Sequence, residues 1–131
     1  MSDDGDAQQL AHEYEAIQQR LRQLDAHLAA LEDQQLELRR AVQTIDALAA
    51  DQSALVPIGA GFHVRATLHG DQPVVVPVGS GYAADQDAAT AKGALEAQAT
   101  QLADVMRRTE AEADQLAAAA NEIAAKAQSS S

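Results

Sequence analysis

The sequence predicts a mainly α-helical chain: two long, alanine-rich helices that pair antiparallel as a coiled coil, with a small β region between them. Three observations predict it. Apolar residues step by fours and threes without a slip from Leu10 to Ile45. A second heptad series runs from Leu95 to Ala127, and all three prolines and six of the seven glycines lie between Pro57 and Gly93. Of the 61 apolar residues, 31 are alanine and three are aromatic, which suits closely packed helices better than a bulky globular core. A length of 131 residues makes this a single domain.

The first helix is expected over residues 9–51, with residues 1–8 as a disordered tail. Its d positions are Leu10, Ile17, Leu24, Leu31, Leu38 and Ile45, and its a positions are Tyr14, Leu21, Leu28, Gln35 and Val42. An unbroken heptad pattern with no Gly or Pro is a strong coiled-coil signal. A helix of that length would extend roughly 60 Å. Gln35 is the one polar seam residue; it reads equally as a register device or as a side chain that snorkels outward.

The second helix is expected over residues 86–127, with Asp85 as N-cap, Asp87 near the positive end of the helix dipole, and residues 128–131 as a frayed tail. Its d series is Leu95, Leu102, Thr109, Leu116 and Ile123; its a series is Ala99, Met106, Ala113, Ala120 and Ala127. Gly93 weakens its start by roughly 1 kcal/mol relative to Ala. In antiparallel pairing the two seams match at a constant residue-number sum. Leu10 then faces Ala127, Leu24 faces Ala113, Leu31 faces Met106, and Ile45 faces Lys92. Large residues of one helix mostly meet small ones of the other, which lets the axes approach closely.

Residues 53–84 change character. Phe62, Val64, Ala66 and Leu68 alternate with His63, Arg65, Thr67 and His69, the pattern of a strand with one buried face. His69-Gly70-Asp71-Gln72 reads as a turn, and Val74-Val75-Val76 as a short strand apolar on both faces. Together they suggest a β-hairpin. The run Val56-Pro57-Ile58-Gly59-Ala60-Gly61-Phe62 recurs twenty residues later as Val76-Pro77-Val78-Gly79-Ser80-Gly81-Tyr82. Each copy is a short strand, a Gly-x-Gly bend and an aromatic. Two such copies flanking a hairpin suggest about four short strands, or two hairpins in succession. Such short strands do not form a stable sheet alone, so their edges are expected to be completed by other chains.

Composition excludes several function classes. Without cysteine there is no disulfide framework, thiolate metal site or thiol nucleophile. A formal charge of −11 disfavours binding to a phosphate backbone, so no nucleic-acid partner is expected. No apolar run approaches the roughly 20 residues needed to cross a bilayer, so no membrane partner is expected either. The acidic N-terminus does not resemble a secretion signal, and a cytoplasmic location is expected. Twenty acidic residues against two lysines suit a salt-rich cytoplasm, where screening suppresses self-repulsion; an acidic protein from a GC-rich genome is the plainer reading. Gly59-Ala60-Gly61 and Gly79-Ser80-Gly81 lack the third glycine or the Gly-Lys-Ser/Thr of phosphate-binding loops and read as bends. His12, His27, His63 and His69 are too widely spaced for a metal site. No nucleophile or carboxylate pair stands in a catalytic context, so no enzyme activity, cofactor or metal is expected.

Two long helices joined through the two Val-Pro-x-Gly-x-Gly copies resemble the prefoldin α-subunit family of archaea. The most specific stretches are Leu55–Gly61 and Val78–Tyr82. The resemblance implies a jellyfish-shaped hexamer of two α and four β subunits, in which the hairpins complete an intersubunit β-barrel. Val56, Ile58, Phe62, Val64, Leu68, Val74, Val76, Val78 and Tyr82 would carry that assembly. It also implies an ATP-independent chaperone that holds unfolded polypeptides at the coil tips and passes them to a group II chaperonin. The tip residues would be Leu10, Tyr14, Ile17 and Leu21 with Leu116, Ala120 and Ile123. The alternative for each of these residues is that it merely closes the coil. The alternative function is an adaptor that scaffolds a complex without holding clients.

Overall fold

The computed structural model describes residues 3–48 and 50–129. Two long helices enclose two small β-hairpins, in the order α1 (Asp3–Ala47), β1 (Gln52–Gly59), β2 (Phe62–Leu68), β3 (Val74–Gly79), β4 (Tyr82–Gln86) and α2 (Ala88–Ser129). The chain divides into two compact units, one of Met1–Gln34 with Leu102–Ser131 and one of Gln35–Gln101. Each helix contributes to both.

In the first unit the seam of the coil is the core. Leu24 is 3% exposed, and Leu31, Ala120 and Thr109 are also buried. All four occupy expected a or d positions. Thr109 sits there without an orphaned hydroxyl, because its Oγ1 donates to the Val105 carbonyl one turn back at 2.8 Å. Arg20 closes one flank of the coil by donating from Nε and Nη2 to Glu112 Oε1, at 3.1 and 3.0 Å. Both residues are at g positions, the flank across which antiparallel helices pair. Both are about half exposed, so the pair secures register more than stability. Helix α1 begins at Asp3, so residues 3–8 continue the helix where a tail was expected. The expectations for residues 1–2 and 130–131 lie outside the described residues.

In the second unit, Ile45 and Ala91 are buried, and Lys92 Nζ reaches Asp46 Oδ1 at 2.8 Å. Helix α1 stops at Ala47, whose carbonyl accepts from Gln52 Nε2 at 2.5 Å, while the Leu48 N–H is shared between the Thr44 and Ile45 carbonyls. Helix α2 is capped by Asp87 and not by Asp85: Asp87 Oδ1 accepts from the Thr90 N–H at 2.7 Å, and its own carbonyl accepts from the Ala91 N–H at 3.0 Å. The hydrogen bonds from Thr90 hold the Asp87 carboxyl below its ordinary pKa.

The β region forms two hairpins in succession. Strand β1 pairs antiparallel with β2, and β3 with β4; β2 and β3 do not pair. The hairpin expected between Phe62–Leu68 and Val74–Val76 is therefore replaced by one around each Gly-x-Gly. The turn geometry gives the reason. Ala60 and Gly61 have φ of 52° and 81°, and Ser80 and Gly81 have 53° and 78°. Two successive positive φ values make the type I′ turn, whose twist matches that of the flanking strands. Ile58 and Val78 are the extra residues of matching β-bulges just before these turns. The stretch His69-Gly70-Asp71-Gln72 links the hairpins. It is tied down by Asp51, which accepts from the Gly70 N–H at 2.9 Å and lies 3.6 Å from His69 Nδ1.

Candidate functional site

Two surfaces, one in each unit, carry apolar side chains that the chain itself leaves uncovered. The first is the pair of hairpins. In β1–β2, Ala54, Val56, Val64, Ala66 and Leu68 share one face by cross-strand pairing, and Leu55, Pro57, His63 and Arg65 share the other. Val74, Val76 and Ala84 are the corresponding first face of β3–β4. That face is only half-covered. Phe62 is 70% exposed and Tyr82 74%, and Val56, Ile58, Val64 and Val78 are also exposed. The expected buried face of β2 thus extends only over Ala66 and Leu68, which are intermediate.

The residues expected to act in assembly therefore fall into two groups. Val56, Ile58, Phe62, Val64, Val78 and Tyr82 face outward, while Leu68, Val74 and Val76 are half-buried. Leu68 and Val74 line a cavity of about 490 Å³ with Ile45, Leu48, Pro73 and Ala88, with Asp46 and Lys92 at its wall. Lys92 is held above its ordinary pKa by its hydrogen bond to Asp46 and then by that residue's charge. Sequence reasoning missed Leu55 and Val75, both well exposed on the second face. For Val75 the signal was present in an all-valine strand with apolar residues on both faces.

The two free edges of each hairpin add polar capacity to this apolar surface. A two-stranded ribbon leaves the outward N–H and C=O groups of both strands unpaired, ready to accept another strand.

The second surface is a groove of about 650 Å³ where the first turns of α1 run beside the last turns of α2. Leu10, Tyr14 and Ile123 line it together with Ala7, Ala11, Ala124 and Ala127, and Glu15, Gln18 and Arg22 border it. It opens because the facing residues are small: Leu10 is matched to Ala127, and the flanking e positions 11 and 124 are both alanine. Tyr14 is 40% exposed as a result. The remaining expected tip residues are placed differently. Ile17, Leu21 and Leu116 are half-buried in the seam, and Ala120, at 4%, is closed within it. The flanking alanines were legible in the sequence but were not read as an opening.

Among the described residues, no three His, Cys, Asp or Glu side chains are placed to hold a metal ion, and no helix is long and apolar enough to cross a membrane. Geometry of this kind can bind apolar polypeptide and can accept strands.

Comparison with known proteins gives the same architecture. A family profile described as Prefoldin, prefoldin subunit, matches residues 9–131. No curated protein matches the sequence. A chain from the cryo-EM structure of filamentous PFD from Methanocaldococcus jannaschii superposes with a TM-score of 0.72 at 22% identity, covering 91% of this chain and 98% of that one.

Proposed function

The chain belongs to the prefoldin subunit family, a non-enzymatic family of chaperone type, and from that premise we propose that it is an α subunit of an ATP-independent holdase. In this reading it joins a β subunit in an α2β4 hexamer, captures unfolded polypeptides at the coil ends, and passes them to a group II chaperonin. The setting we propose is the cytoplasm of a salt-adapted archaeon, in keeping with the surplus of acidic residues.

The observation that carries the reading is the groove of Leu10, Tyr14 and Ile123 at the helix ends. It is apolar, open and walled by small residues, so it accepts side chains of many shapes. A groove of this size holds only a few side chains, and each contact is correspondingly weak. Presenting several such ends on one assembly raises avidity without new contacts. The exposed hairpins supply the means of assembly: burying Phe62, Tyr82 and their neighbours removes apolar surface from water and completes the strand edges.

Deleting residues 1–17 and 116–131 tests this assignment against the adaptor alternative. Client holding should be lost while the hairpins still assemble with the β subunit. Unchanged holding by an assembled, truncated complex would overturn the assignment of the coil ends.

A further inference from the structure

The negative charge is not spread evenly over the chain. Residues 1–34 and 102–131, the unit that holds the groove, carry thirteen Asp and Glu against five Lys and Arg, a net −8 of the total −11. Residues 35–101 carry seven against four, a net −3. The helix dipoles do not offset this charge, because the first turns of α1 lie beside the last turns of α2 and their end charges oppose. Glu15 and Arg22 are the charged side chains that border the groove. Both are exposed, and among the described residues neither forms an ion pair, whereas the nearby Arg20 is taken up by Glu112.

We propose that the groove selects apolar polypeptide segments that carry Lys or Arg at one end, with the apolar part on Leu10, Tyr14 and Ile123 and the cation at Glu15. The inference rests on the reading of the coil ends as client-holding sites and adds the chemistry of the client. Apolar contact alone is indifferent to what flanks a segment. An acidic surface is not: it concentrates cationic chains around it and repels acidic ones. Glu15 follows Tyr14 directly on the border of the groove, so a cation next to an apolar run meets a free carboxylate while the run stays in place. Arg22 lies two turns further along α1 and has the opposite sign, which turns the cationic end of the segment toward the helix ends. The field of the whole unit reaches about 10 Å at 0.1 M salt and about 3 Å at 1 M. In a salt-rich setting the selection therefore reduces to the contact at Glu15.

The test is NMR titration of the isotope-labelled, full-length chain with synthetic peptides that share one apolar centre and carry two lysines, two serines or two glutamates at one end. Shifts of the Tyr14 and Ile123 amides report binding at the groove, and the same spectra report that each variant folds. In low salt the lysine peptide should bind on the order of tenfold tighter than the glutamate peptide, with the serine peptide between them; in molar salt the ratio should fall to about twofold. Glu15→Lys should remove most of the preference. Glu37→Lys, an exposed site in the other unit with the same change in net charge, should leave it within about twofold. Arg22→Gln should widen it, by removing the cation from the border. Equal binding of the three peptides at the groove, or a Glu15→Lys variant no different from Glu37→Lys, would overturn the charge selection and leave client holding standing. Failure of all three peptides to shift Tyr14 or Ile123 would overturn the client-holding reading itself, and the selection with it.

Discussion

Leu24→Ala, followed by a compensating Ala113→Leu, examines how the coil is built. Leu24 is 3% exposed in the seam, and the expected register sets it against Ala113. Truncating a buried leucine removes its transfer free energy and leaves a cavity, at a cost of 2–5 kcal/mol. Alanine across the seam has no reach to fill the gap, while a two-helix coil relaxes more freely than a closed core, so about 3 kcal/mol is expected. For a chain of this length that lowers Tm by about 10 °C. Adding Ala113→Leu returns the lost volume to the same layer, and a volume-conserving exchange costs less than about 1.5 kcal/mol. The double variant should therefore recover most of the melting temperature, read by circular dichroism at fixed protein concentration. Pairing Leu24→Ala with Ala120→Leu, in a different layer, should deepen the loss by overpacking a buried position. Equal recovery from both partners, or from neither, would refute the register and with it the large-against-small packing.

Other perturbations report on other parts of the structure. Gly61→Ala places a side chain at a φ of 81° where its Cβ would meet nothing within 4 Å, so the cost is conformational, about 1–2 kcal/mol, and should appear as a lower assembly midpoint. Asp87→Ala should lower the melting temperature at neutral pH. The Asp87 carboxyl is depressed by its bonds to Thr90, so its stabilisation is present above the ordinary carboxylate pKa and lost as pH falls through the lowered value. Wild type and variant should then converge in melts taken in strong acid. Tyr14→Ser with Leu10→Ser should weaken suppression of client aggregation severalfold while leaving assembly mass unchanged, since both residues line the groove and neither belongs to the hairpins.

Much of this fold is legible because its dominant signal is periodic. A heptad series states which residues are buried, and Leu24, Leu31, Thr109 and Ala120 are buried as the series requires. The β region is harder, because local turn signals compete. His-Gly-Asp-Gln is rich in turn-forming residues, whereas Ala60 and Ser80 are poor candidates for a positive φ. The type I′ geometry at 60–61 and 80–81 closes each hairpin there, and a side chain remote in sequence, Asp51, fastens the 69–72 link as a connection between them. The N-cap was misplaced by two residues for a related reason: β4 continues through Gln86, so the first helical turn begins only after Asp87. At the coil end Leu10, Tyr14 and Ile123, expected as tip residues from the heptad series, line the groove. The sequence did not reveal the opening beside them, because alanine at a flanking position signals a helix as readily as a gap.

The most direct test of the central claim is light scattering from a chemically denatured protein diluted into buffer with this chain and a β subunit, without ATP and at low and high salt, alongside native mass measurement of the same mixture. The account predicts suppressed aggregation by an α2β4 complex. A well-formed hexamer that leaves aggregation unchanged, in salt where another prefoldin suppresses it, would contradict the chaperone assignment and leave the scaffold in its place.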